Sequence, residues 1–188
     1  MTDAILKNVQ NTVGAAPLVH SITNNVTMND CANIILAAGG TAIMAQDERE
    51  VEEITAQSDA LVLNMGALRA QEAMLFAARE AKQLGHPVVL DPVAVGASRL
   101  RSEMCRRLLA DGLVSVIRGN ASEIRALAAQ NKHASGVEAN ALDRVTEENL
   151  AESAAWLAAF SRKTNAVVLL SGAIDLITDG TRTAVLRG

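Results

Sequence analysis

Aromatic residues are almost missing from this chain: two Phe, one Trp and no Tyr among 188 residues. Without interleaved aromatics there is no platform on which single-stranded nucleic-acid bases could stack. Basic charge is also short. The 17 Lys and Arg against 21 Asp and Glu leave a net charge of −4, which gives no footprint for phosphodiester backbones and excludes nucleic acid as a partner. Cysteine occurs twice, at Cys31 and Cys105, far apart and without CxxC spacing. Neither a zinc site nor a disulfide framework follows, and both thiols read as small buried apolar groups. There is no apolar run of transmembrane length, so no membrane span is expected. The start, Met1-Thr2-Asp3-Ala4-Ile5-Leu6-Lys7, has no basic region leading into a signal core. A cytoplasmic protein is the expectation.

What is present is an apolar chain. Hydrophobic residues make up 49% and charged residues 20%, enough for a real core of Ala, Val, Leu, Ile and Met. Residues 1–188 are therefore expected to form a single domain. Ile5, Leu6 and Val9 at helical spacing suggest a short first helix ending near Gly14. Apolar runs suited to buried strands follow at 17–22, 41–44, 60–64, 88–90, 113–117 and 166–170. Helical patterns lie between them: 26–38, with Cys31, Ile34, Ile35 and Ala38 on one face; a segment opened by Asp47, Glu48 and Glu50; 68–84; 99–109; and Asn120 to Ala129. The stretch 131–143 is polar and aperiodic and reads as an exposed excursion. Thr146 caps a helix to Arg162, and strands 174–178 and 183–186 pair across Asp179-Gly180. Alternation of this kind predicts an α/β fold. Its sheet is mostly parallel, with helices on both faces and an antiparallel edge hairpin.

The organising stretch is Val88-Val89-Leu90-Asp91-Pro92-Val93-Ala94-Val95-Gly96-Ala97-Ser98. A buried strand ends on a carboxylate, Pro92 stops it, Gly96 permits a tight loop, and Ser98 can cap the next helix. In open α/β sheets, ligands bind at such carboxyl ends. The other strands deliver His20, Ser21, Asn24 and Asn25; Met44; Asn64, Met65 and Gly66; Arg118, Asn120 and Glu123; Ser171 and Gly172. A neutral, amide-rich, partly apolar floor with one guanidinium and two carboxylates suits a small substrate beside a magnesium–phosphate group. Each residue also has a plainer reading. Asn120-Ala121-Ser122-Glu123 is a good helix start in which the acid reaches back. His20 alone reads as a hydrogen-bonded core residue, Met44 as core, and Asn24-Asn25 as a turn. Arg99, Arg101, Arg106 and Arg107 read as a solvated helix face.

The combination resembles the hydroxyethylthiazole kinase family of thiamine salvage, a branch of the ribokinase-like superfamily. The resemblance is carried by Pro17-Leu18-Val19-His20-Ser21-Ile22-Thr23-Asn24-Asn25-Val26 with Asn29, Ala32 and Asn33, and by Met44-Ala45 and Leu63-Asn64-Met65-Gly66. The organising stretch from Asp91 to Ser98 and Ile117-Arg118-Gly119-Asn120-Ala121-Ser122-Glu123 complete it. It implies a ribokinase-like three-layer α/β/α fold and transfer of phosphate from ATP, with Mg2+, to the hydroxyl of 4-methyl-5-(2-hydroxyethyl)thiazole. It further implies a thiazole pocket at Asn25, Met44 and Gly66, and ATP contacts at Arg118 and Ser171, where the family often has Thr in place of Ser171. Asp91 and Glu123 are implied as the magnesium-organising carboxylates, and a homotrimer with thiazole sites at subunit boundaries is implied as the assembly.

Family members continue into a Gly-Thr-Gly-Cys segment that supplies an anion hole and a cysteine near the reacting hydroxyl. Nothing in these 188 residues matches it, and neither Cys31 nor Cys105 follows a glycine-rich loop. The catalytic residue is therefore unassigned, and the chain is expected to be cut short at its C-terminal side. On that expectation it has negligible kinase activity and tends to associate, while a version extended through such a segment is active. Two other readings stay open: a thiazole-binding module without catalysis, and a kinase for another small alcohol on the same fold. The neutral Asn25, Met44 and Gly66 set argues against a sugar, whose hydroxyls need more polar partners.

Overall fold

In the computed structural model, residues 2–130 and 144–187 are described. The excursion expected at 131–143 lies outside them. The chain divides into two compact units that part between Val88 and Val89. No helix among the described residues is long and apolar enough to cross a membrane.

In the first unit the order is α1 (Thr2–Ala15), β1 (Leu18–Ile22), α2 (Met28–Ala37), β2 (Thr41–Ile43), α3 (Val51–Ala56), β3 (Ala60–Asn64) and α4 (Gln71–Leu84). β1 lies between β2 and β3 and is parallel to both, with His20 level with Ile43 on one side and Leu61 on the other. Parallel neighbours need a crossover, which α2 and α3 supply. Ile22, Leu61, Leu63, Met65, Met74 and Leu75 are fully buried there. α4 turns Ala73, Met74, Leu75, Ala77, Ala78 and Ala81 inward, as its periodicity predicts, and Gly85 ends it at φ +74°, the left-handed conformation that glycine adopts without strain.

Three starts differ from the sequence reading. Asp47, Glu48 and Glu50 precede α3 instead of opening it, because the Asp47 carboxylate accepts from the Arg49 backbone and guanidinium and closes a local turn. Turns at 65–66 and 68–69 delay α4 to Gln71. α2 begins at Met28, and none of its residues is buried. Its apolar face is not core of this unit: Ile34 is 67% exposed.

The second unit runs β4 (Val88–Asp91, starting on the last residue of the first unit), a 3-10 turn (Val95–Ala97), α5 (Arg99–Ala110), β5 (Val116–Asn120), α6 (Ala121–Gln130), α7 (Leu150–Thr164), β6 (Val167–Ser171), β7 (Ile174–Thr178) and β8 (Thr183–Arg187). β4, β5 and β6 are parallel; β7 runs antiparallel to β6, and β8 to β7. Leu90, Leu108, Ile117, Ile124, Leu127, Leu157, Leu170 and Leu176 are among its fully buried large side chains. Ser98 caps α5, its hydroxyl accepting from the Arg101 backbone. β5 starts three residues later than the apolar run suggests. Leu113 and Val114 are buried but lead into the strand, so Arg118 to Asn120 lie within β5 and not in a turn after it. Thr146 and Asn149 bond reciprocally through a turn, and α7 itself starts at Leu150.

The β7–β8 hairpin closes through a four-residue loop, Asp179 to Arg182, with Asp179-Gly180 as its first half. Asp179 organises it by accepting from the Thr181 and Arg182 backbones and from the Arg182 guanidinium. Gly180 sits at φ +88°, and a Cβ there would come within 2.7 Å of Arg162 Cγ. Gly180→Ala should therefore cost about 1–2 kcal/mol. The check is a lower urea midpoint at unchanged m-value; an unchanged midpoint would contradict this account of the loop.

His20 is fully buried. Its Nε2 lies 3.0 Å from the Ala45 carbonyl and its Nδ1 2.9 Å from the Thr55 hydroxyl. A carbonyl only accepts, so Nε2 carries the proton and Nδ1 accepts from Thr55. The ring pins the segment after β2, and α3, to β1. Burial pushes its pKa below the ordinary 6.5, against the opposing pull of the Ala45 carbonyl and the Glu50 carboxylate. The unfolded chain then takes up a proton that the folded chain refuses. The contribution is fully present above about pH 7 and is lost as pH falls from about 6.5 toward the lowered folded value. Asp47, held low by its Arg49 guanidinium, and Asp179, held low by the Arg182 backbone, titrate below the ordinary 3.8 and so outside this window. His20→Gln is expected to lower the melting temperature at pH 8 and to flatten its decline between about pH 7 and 5.5. A slope identical to that of the unsubstituted chain would sink this assignment.

Candidate active site

Three loops of the first unit, each following a parallel strand, wall a cleft of about 290 Å³. Thr23, Asn24 and Asn25 come from the segment after β1, Gln46 from the one after β2, and Gly66, Ala67, Leu68 and Arg69 from the one after β3. Of the three residues expected to form a substrate pocket, Asn25 and Gly66 share this cleft. Met44 stands half-buried two residues before Gln46 and is not one of the lining residues.

Side chains tie the loops together. Gln46 Nε2 donates to the Thr23 carbonyl at 2.6 Å. Asn24 Nδ2 donates to Asn64 Oδ1 at 3.2 Å, and the same oxygen accepts the Gly66 N–H at 2.9 Å. Asn24 Oδ1 accepts from the backbones of Val26 and Thr27 at 3.0 and 3.1 Å, which closes the turn into α2. A Cβ at Gly66 would come within 2.6 Å of Asn64 Oδ1, so a larger residue there would displace that amide. Among the described residues the lining contains Thr23, amides, an apolar Ala67 and Leu68, one guanidinium and no carboxylate. Such a surface suits a small neutral molecule with few hydrogen-bonding groups. The sequence reading did not single out Gln46 or Arg69. The available signal for Gln46 was an amide two residues past an apolar strand, in a chain whose other strand ends also carry amides.

In the second unit, Asn120 of β5 is level with Ser171 of β6, and Arg118 with Leu169. Aligned residues on adjacent strands share a sheet face, so Arg118, Asn120 and Ser171 stand on one face. Arg118 is exposed. The Ser171 hydroxyl makes a long bond, 3.4 Å, to the Gly119 carbonyl.

Glu123 starts α6 in the reciprocal cap that the sequence suggests. Asn120 Oδ1 accepts the Glu123 N–H at 3.0 Å, and Glu123 Oε2 accepts the Asn120 N–H at 2.9 Å. Its other oxygen accepts the N–H of Ala94 at 3.2 Å. Ala94 sits at φ +51°, a conformation that costs a non-glycine residue about 1 kcal/mol or more and that this bond helps to hold. Each carboxylate oxygen has a further lone pair, so capping and cation binding are compatible. Asp91 ends β4, half-buried. Burial pushes the Cys105 thiol up to about 12, with Asp91 adding to the shift and Arg101 opposing it. Cys105 is thus a protonated core thiol at neutral pH.

Among the described residues no cluster of three or more His, Cys, Asp or Glu could hold a metal ion. Magnesium that takes its remaining ligands from phosphate and water needs only one or two carboxylates. Asp91 and Glu123, both hard oxygen donors, fit that requirement.

A family model described as the hydroxyethylthiazole kinase family matches residues 6–188. The chain is 53% identical over 163 residues to a hydroxyethylthiazole kinase of Desulfovibrio desulfuricans, covering 86% of this chain and 57% of that protein. It is 45% identical over 183 residues to one of Clostridium acetobutylicum, covering 96% and 67%. A solved hydroxyethylthiazole kinase protein from Pyrococcus horikoshii OT3 superposes with a TM-score of 0.85 at 34% identity, over 98% of this chain and 66% of that one. Adenosine kinase of Anopheles gambiae, solved with P1,P4-di(adenosine-5) tetraphosphate, shares the fold alone, at a TM-score of 0.55 and 13% identity. The fold is thus the ribokinase-like α/β fold of these kinases. The chain spans between 57% and 67% of the length of these two curated relatives. By the match of residues 6–188 and by its identity to these relatives, the chain belongs to the hydroxyethylthiazole kinase family.

Proposed function

We propose that this chain serves the ATP-dependent phosphorylation of the hydroxyl of 4-methyl-5-(2-hydroxyethyl)thiazole, with magnesium, as a cytoplasmic homotrimer. The observation that carries the reading is the family match across residues 6–188. The geometry supports a division of labour. The first unit takes the alcohol at the cleft lined by Asn25 and Gly66, with Met44 beside it; among the described residues no carboxylate lines this cleft, which favours a neutral thiazole over a sugar. The second unit takes the nucleotide through Arg118 and Ser171. An exposed guanidinium suits the phosphate fork, and the weakly engaged Ser171 hydroxyl is able to turn to a nucleotide. Asp91 and Glu123 would hold magnesium, which when bound neutralises phosphate charge. Phosphoryl transfer is mostly positioning and charge neutralisation, and these side chains supply both.

The trimer is supported by the unburied apolar side chains of the first unit. Ile5, Leu6, Val9 and Val13 of α1 and Ile34 and Leu36 of α2 are each more than half exposed, apolar surface of a kind that a second copy could cover.

The reaction is read directly as a phosphate ester of the alcohol in phosphorus NMR spectra of the full natural protein with ATP and magnesium. Preferential phosphorylation of a sugar or pyrimidine alcohol would replace the substrate assignment. Met44→Glu should abolish calorimetric binding of the thiazole alcohol by placing an unpaired charge beside the cleft, with ATP binding intact. Arg118→Ala should weaken ATP about tenfold or more and leave the alcohol unaffected. Equal losses of both ligands in both variants would contradict the division. Ile34→Glu should convert the assembly to monomers in sedimentation; an unchanged mass would place the interface elsewhere.

A further inference from the structure

Asn24 and Asn64 sit on different loops of the first unit, and each amide has only one orientation that satisfies its neighbours. Asn24 Oδ1 faces the N–H groups of Val26 and Thr27, so its Nδ2 must face Asn64. Asn64 Oδ1 faces the Gly66 N–H, so it accepts from Asn24. A flip of either side chain would set an NH2 group against a backbone N–H. Asn64 is buried, at 8% exposure, where an unmade hydrogen bond is costly. Gly66 packs directly on both amides: a Cβ would lie 2.6 Å from Asn64 Oδ1 and 3.0 Å from Asn24 Nδ2. Asn25 follows Asn24 in the chain, and both Asn25 and Gly66 line the cleft. The amide pair therefore fixes one wall against the other.

We propose that Asn24 and Asn64 are positioning residues for the alcohol: their mutual hydrogen bond sets the cleft shape on which its binding depends. The proposal rests on the thiazole reading of this cleft. Neither amide is required to touch the substrate.

The test is calorimetric titration of the chain with 4-methyl-5-(2-hydroxyethyl)thiazole, with a melting curve for every variant. Asn64→Leu keeps the branched shape and loses the acceptor. Asn24→Asp keeps the acceptor for Val26 and Thr27 and loses the donor. Each should weaken binding about tenfold. The double variant should lose no more than Asn64→Leu alone, because that substitution already removes the bond that Asn24→Asp removes. Asn64→Asp keeps the acceptor; its affinity should stay within about threefold of the parent even though a buried charge lowers its melting temperature. A purely structural role would make affinity follow melting temperature across all variants, and that result would overturn the proposal. Parent affinity in both Asn64→Leu and Asn24→Asp would overturn it as well, while leaving the substrate reading standing. No binding by the unsubstituted chain would overturn the substrate reading and this proposal together.

Discussion

Two parallel strands cannot be joined by a tight turn, and that constraint decides where the polar residues of this chain emerge. Each strand must be followed by a loop and a returning helix, so within a unit the loops after parallel strands gather at one edge. In the first unit β1 lies between β2 and β3, and the segments after all three wall one cleft. In the second, β5 beside β6 brings Arg118, Asn120 and Ser171 onto one face. The loops also leave backbone N–H groups to be satisfied. Asn24, Asp47, Glu123 and Asp179 satisfy several of them with side-chain oxygens. Polar residues at strand ends thus shape the loops whether or not they touch a ligand.

Much of this order was legible in the sequence because its signals were local. The 60–64 strand, the inward face of α4, the Ser98 cap and both hairpin strands all appear where periodicity and turn chemistry put them. The failures have physical causes. Leu113-Val114-Ser115-Val116-Ile117 is apolar throughout, and burial alone does not distinguish a strand from the coil leading into it. The strand instead takes Arg118 and Asn120, whose side chains point away from the core. The periodicity of α2 marks a face that needs cover, but carries no information on what covers it.

The site was legible to the extent that it follows from strand order. Asn25, Gly66, Arg118 and Ser171 were identified as residues at strand ends, and the structure groups them as Asn25 with Gly66 and Arg118 with Ser171. Met44 was identified at a strand end in the same way and stands beside the cleft lining, not in it. The pairing of Asn24 with Asn64 spans 40 residues, and no local pattern encodes it. For His20 and the Asn120–Glu123 box the structure shows the plainer reading, and that role reaches the loops around the candidate site. His20 is core, yet it pins the segment carrying Met44 and Gln46. Glu123 is a cap, yet it also holds the loop that follows Asp91.

The central claim is that alcohol and nucleotide are received by different units. Amide chemical-shift mapping tests it most directly, with the thiazole alcohol and ATP added separately to labelled protein. The account predicts alcohol-induced shifts concentrated at Asn24, Asn25, Gly66 and Ala67, and ATP-induced shifts at Arg118, Gly119 and Ser171. Alcohol-induced shifts centred on Arg118 and Ser171, or ATP-induced shifts centred on Asn25 and Gly66, would contradict it.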